Sequence, residues 1–190
     1  MLTFLQVIIT IATAVAAGAA WRSAIASRAA ADASRQATEA TLVASFMKNY
    51  SSSLMNEALI EIRQYIDDPE NKETLEAIAA SPYEDMANDP PANLSLDPVV
   101  NSSLREIYYH FKTAYSLHMK GFISLESLRL ISDVPGYQLL HRYVRPMSLI
   151  TNPELEKESP DIGEIRRQFA WFDDYRKKID DYEKKIKDGG

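Results

Sequence analysis

A chain of 190 residues with 46% hydrophobic content holds enough apolar side chain for one folded core in addition to an apolar N-terminus. Its formal charge of −6 falls wholly after Trp21, since Met1 to Trp21 contains no charged side chain, and a bulk acidic surface disfavours non-specific contact with phosphate backbones. Cysteine is absent, which excludes disulfides, thiolate nucleophiles and thiolate metal sites, while His110, His118 and His141 fall in no recognised ligand spacing, so no metal and no cofactor is expected.

From Leu2 to Trp21 the chain reads LTFLQVIITIATAVAAGAAW. As a helix these uncharged residues span about 30 Å, enough for a hydrocarbon core, so residues 1–21 are predicted to form a single transmembrane helix. Trp21 and Arg22 supply an interfacial ring and a cation at its far end. The rival reading is a cleaved signal peptide, with Ala14-Val15-Ala16 or Ala17-Gly18-Ala19 as the processing site. Against it stand the length of the run and the lack of any Lys or Arg before it. Arg22, Arg28 and Arg35 follow the span, and the positive-inside bias then places the C-terminal domain in the cytoplasm.

Within the span Thr3, Gln6, Thr10 and Thr13 recur at helical steps and form one seam. It continues through Ala17, Ala20, Ala24, Ser27, Ala31, Ser34, Thr38 and Thr41 without a large or charged residue. Small and hydroxylated side chains permit close helix approach, and an amide at membrane depth wants a partner, so Gln6 and its seam predict a homo-oligomer or a helical protein partner.

No proline occurs between Met1 and Pro69, and Gly18 is the one glycine in that stretch, so residues 22–50 are expected to continue as a helical stalk. Ser51-Ser52-Ser53 marks the break, with Ser53 placed to cap the next helix, and residues 51–190 form the expected cytoplasmic helical bundle. Leu54, Ala58, Leu59, Ile62 and Ile66 define a helix that Asp67-Asp68-Pro69 ends, and a short helix follows over 71–80. Residues 81–98, rich in Pro, Asp and Asn, read as a long surface loop.

Val99 to Lys120 is the strongest helix of the domain, with Leu104, Ile107, Tyr108, Phe111 and Tyr115 on one face and Gly121 as its stop. Ser124 starts a short helix that ends at Val134-Pro135, and a further helix over Tyr137 to Arg145 is expected to stop at Pro146. After a loop over 151–160, a last helix places Ile162, Ile165, Phe169, Phe172, Tyr175, Ile179, Tyr182 and Ile186 on one side and charges of both signs on the other. No stretch alternates with period two, so the class is all-α.

Chemistry concentrates on Arg105 and His110, an Arg-x-x-x-x-His string on the strongest helix. The pair is expected to point away from the apolar stripe and to bracket a polar face containing Glu106, Tyr109 and Thr113. The string resembles the motif of HEPN nucleases, helical bundles that dimerise and cleave RNA without metal. That resemblance gives Arg105 the binding of phosphate charge and His110 a part in proton transfer. Glu106 departs from it, because the family has Asn, Asp or His after the arginine. His118, beside Phe111 and Tyr115, reads as a hydrogen-bonded core residue. His141, Arg142 and Arg145 form a small basic cluster read as a salt-bridged surface, with an anionic lipid or partner as the alternative.

Along the whole chain the order of features resembles an uncharacterised bacterial family of membrane-anchored helical proteins. The likeness is carried by the span and stalk, by Leu54-Met55-Asn56-Glu57-Ala58-Leu59, and by Leu104-Arg105-Glu106-Ile107 to Phe111 with Gly121-Phe122-Ile123-Ser124. It implies a place in the inner membrane of a bacterium. Seam and string together are also similar to degenerate, membrane-anchored HEPN-like accessory proteins of RNA-targeting CRISPR systems, which assemble into pores. The leading expectation is a single-pass membrane protein that self-associates and presents a cytoplasmic interaction domain, in its narrower form an antiviral defence effector or pore. The alternative is a HEPN-like, metal-independent ribonuclease with RNA as its partner.

Overall fold

All regular structure in the described part of the computed structural model is helical. That part is residues 2–80, 96–152 and 161–189, excepting the side chains at 2, 4, 5, 7, 8, 10, 11, 12, 14, 79 and 189. In chain order the helices are α1 (Leu2–Tyr50), α2 (Ser53–Asp67), α3 (Pro69–Ala80), α4 (Pro98–Met119), α5 (Leu125–Ser132) and α6 (Pro135–Leu139). A π-helical turn (Leu140–Val144), α7 (Arg145–Ile150) and α8 (Ile162–Gly189) complete them. The all-α class is thus observed. Most of the expected loops over 81–98 and 151–160 lies outside the described residues.

Local chemistry sets the boundaries. Ser52, one residue earlier than expected, caps α2 by accepting the Met55 N–H at 3.2 Å. Asp97 caps α4 by accepting the Val99 N–H at 2.7 Å, with Pro98 in the first turn where a missing N–H costs nothing. At the other end of α4, Gly121 has φ +74°, its N–H reaches the His118 carbonyl, and the Phe122 N–H reaches that of Leu117. This is a Schellman closure, and it needs a residue that tolerates the left-handed conformation.

Pro146 differs from its expected role as a stop. A proline cannot bond the carbonyl four residues back and crowds it. The chain meets this by widening into the π turn, where the Arg145 N–H bonds the Leu140 carbonyl, and α7 then starts with Pro146 in its first turn.

The chain divides into two compact units, residues 1–41 and 42–190. In the first, the described side chains of α1 are nearly all exposed. Several hydroxyls bond back to the helix, Thr13 to the Ile9 carbonyl at 2.8 Å and Thr38 to that of Ser34 at 2.9 Å. Among the described residues no helix is long and apolar enough to cross a membrane. The side chains of Leu2, Phe4, Leu5, Val7, Ile8 and Ile11, on which the expected anchor rests, lie outside the described ones.

The second unit begins nine residues before the helix break, so the expected boundary between stalk and bundle at residue 50 marks an end of helix and not of packing. Leu42, Val43, Phe46 and Tyr50 repeat at helical spacing, Phe46 is buried, and the other three pack against the core. Tyr50 Oη accepts the Gly136 N–H at 2.9 Å, tying the last turn of α1 to α6. Around this, α2 packs most extensively on α4; α3 packs on α2, α7 and the π turn; α8 covers α5 and α4. Met55, Ile62, Ile107, Phe111, Leu128, Leu140, Met147, Phe172 and Tyr175 are fully buried between these helices. At roughly 1.5–3 kcal/mol for each large apolar side chain removed from water, this layer is the main stabilising element of the fold.

Candidate functional site

One stripe of α4 carries Asn101, Arg105, Tyr108, Tyr109 and Lys112, spaced so that all return to the same side of the helix. With Leu104 of α4, Ser148 of α7, Thr151 and Asn152 after it, and Gln168 and Phe169 of α8, they line a cleft of about 290 Å³. Among the described residues, two cations and no carboxylate stand in that lining. Lys112 Nζ donates to Tyr108 Oη at 2.9 Å and lies 4.9 Å from that ring's centroid, which holds the ammonium beside the ring. Tyr109 stands edge-on to Tyr108 at 5.3 Å. Asn152 is buried and donates through Nδ2 to Gln168 Oε1 at 2.9 Å, while Gln168 Nε2 donates to Glu164 at 3.1 Å. The positive charge of Arg105 and Lys112 gives the described lining an electrostatic preference for anions.

Arg105 is exposed at this cleft, but His110 is not part of it. Residues five apart on a helix stand about 140° from each other. The His110 ring turns the other way and packs against Phe46 at 5.4 Å, Tyr50 at 5.8 Å and Phe111 at 5.1 Å. Half-buried rather than on the polar face, it has its pKa lowered by burial to about 4 and is neutral at pH 7. The structure therefore does not bring the two residues of the string together within one chain. Of the seam, Thr3, Gln6, Thr13 and Ala17 are exposed on α1, and the Thr10 side chain lies outside the described residues.

Scans of protein-family models, curated proteins and solved structures return no match to this chain.

The basic cluster expected around His141 lies on the π turn and borders a second cavity, of about 460 Å³, lined by both signs of charge. Arg142 bonds Glu76 of α3 at 2.6 Å, and Arg145 and Arg176 stand 3.7 Å from Asp173 and Asp180. This is the salt-bridged surface that the sequence suggests. Burial, then Arg176 and Arg145, lowers the His141 pKa to about 4. His118 is half-buried with Nδ1 3.2 Å from the Ile123 carbonyl, in keeping with its expected structural part. Among the described residues no group of three His, Asp or Glu is placed to hold a metal ion.

Sequence reasoning missed Lys112, Ser148, Asn152 and Gln168. For Lys112 a signal was available, since it falls seven residues after Arg105 and hence on its face. The other three reach the cleft only through tertiary packing.

Proposed function

We propose that this chain is a single-pass membrane protein that self-associates through its N-terminal helix and uses the helical bundle as its cytoplasmic interaction domain. The observation that carries this reading is the uncharged run from Leu2 to Trp21, continued by a seam with no large or charged residue as far as Thr41. A lipid-facing helix gains nothing from Gln6 and a file of threonines, whereas a helix packed on its own copies gains close approach and interhelical hydrogen bonds.

The absence of cysteine allows a direct test, because a single introduced thiol reports only on its own position. In bacterial membranes Thr13→Cys and Ala17→Cys on the seam are expected to form disulfide dimers on oxidation, and Val15→Cys is not. Full-length protein that washes off membranes in carbonate, or equal cross-linking at all three positions, overturns the reading. If the assembled helices conduct, liposomes carrying the protein will leak ions and Gln6→Leu will abolish the leak.

The alternative, a metal-independent ribonuclease using Arg105 and His110, draws support from the string itself. The turning of His110 towards Phe46 weighs against it. RNA cleavage in excess chelator, lost in both Arg105→Ala and His110→Ala, would establish it over the first reading.

A further inference from the structure

We propose that the cleft between α4, α7 and α8 binds a small organic phosphate carrying a planar ring, of the size and chemistry of a nucleoside monophosphate. The chain is acidic overall, yet among the described residues this cavity is lined by Arg105 and Lys112 and by no carboxylate. Among the described residues neither cation stands in an ion pair, whereas the arginines around His141 are each beside an acid. A phosphate monoester carries about two negative charges near neutral pH, which matches two cations. Arg105 and Lys112 sit seven residues apart on one face, about 10 Å along the axis, within reach of one group lying between their long side chains. Arg105 offers a planar fork of donors, and Lys112 keeps two of its three after bonding Tyr108.

The rest of the lining suits the remainder of such a molecule. Tyr109 is 60% exposed and stands edge-on to Tyr108, so the lining includes an aromatic ring accessible for stacking. The Gln168 amide is held in the lining by accepting from Asn152 Nδ2 and donating to Glu164, which sets a polar edge beside the cations. The volume, about 290 Å³, lies at the lower edge of the roughly 300–1,000 Å³ typical of small-molecule sites and suits one compact ligand. The site lies wholly within the bundle and does not depend on the membrane reading.

The test is calorimetric titration of the full chain, in its membrane mimic and at low salt, with AMP, adenosine, ribose 5-phosphate and inorganic phosphate. AMP is expected to bind at least tenfold more tightly than adenosine and than either ringless phosphate. Arg105→Gln and Lys112→Gln should each weaken AMP at least tenfold, while Arg63→Gln, an exposed cation on α2, leaves it unchanged. Tyr109→Ala removes the ring face without touching charge, and should weaken AMP but not ribose 5-phosphate. Absence of saturable AMP binding overturns the proposal, as does equal weakening by Arg63→Gln. Inorganic phosphate binding as tightly as AMP, or an unaltered AMP affinity in Tyr109→Ala, overturns the assignment of the ring.

Discussion

Tyr50→Phe tests whether the last turns of α1 belong to the bundle. Gly136 is buried in the first turn of α6, where a backbone N–H has no acceptor within its own helix, and the Tyr50 hydroxyl accepts it at 2.9 Å. Phenylalanine keeps the ring beside His110 but strands that amide, at a cost of about 1–3 kcal/mol. For a chain of this size each kcal/mol moves the melting temperature by roughly 2–4 °C. Gly136→Ala probes the same contact from the other side, since its Cβ would meet Tyr50 Cε2 and Oη at 3.0 Å and Leu59 Cδ2 at 3.2 Å. Overpacking of that kind costs about 1–3 kcal/mol. In the double variant the hydroxyl is already gone and one clash with it, so the two losses should sum to less than additive by about 0.5 kcal/mol or more. The assay is urea unfolding followed by circular dichroism in a fixed membrane mimic, with exposed Lys48→Ala as reference. If Tyr50→Phe and Gly136→Ala both match the reference within about 0.5 kcal/mol, the docking of α1 on α6 is wrong.

The other expectations concern single contacts. His110 titrates near 4 in the folded chain against 6.5 when unfolded, so the folded state binds fewer protons; its stabilising contribution is complete above pH 6.5 and is lost as pH falls towards 4. The urea midpoint should therefore drop on acidification from pH 7 to 5, and drop less in His110→Phe, with His141 supplying the remaining slope. Gly121→Ala meets no atom within 4 Å, so its loss is the backbone strain of φ +74° alone, about 1 kcal/mol by urea unfolding. Arg142→Ala breaks a short but exposed pair with Glu76, and the midpoint should stay where it is; a clear fall would mean that the charges on the π turn stabilise the fold.

Helical periodicity was legible wherever a face was buried along its whole length. Leu59, Ile62, Ile107, Phe111, Phe172 and Tyr175 are buried as their spacing requires. Periodicity names a face but not how far its partner extends: the stripe of α8 runs on to Ile186, which is 55% exposed. Trp171 lies off that stripe and is buried beside Phe172, because an aromatic ring reaches across the edge of a helical face. The C-terminal end of α1 shows the related point that a change in side-chain pattern need not coincide with a helix end. Leu42, Val43, Phe46 and Tyr50 stand in a helix whose preceding residues are small and polar, so the apolar pattern begins before the helix break.

The site divides along the same line. Arg105 and His110 are five residues apart, a separation that sends two side chains to different sides of one α-helix. The neighbours that matter to Arg105 are those sharing its face, at Asn101, Tyr108, Tyr109 and Lys112, and that set could have been written down from the sequence. What closes the stripe into a cleft could not. Ser148 and Asn152 reach it from α7 and the residues after it, which follow the π turn at Pro146, and Gln168 because α8 lies against α4. The backbone accommodation at Pro146 thus lies directly before the segment whose polar side chains meet the cations of α4. It follows that Pro146→Ala, by permitting an unbroken α-helix through residues 140–150, should disturb the cleft more than it disturbs the core. Loss of AMP binding with little change in the unfolding midpoint is the expected result, and an unaltered titration would separate the π turn from the site.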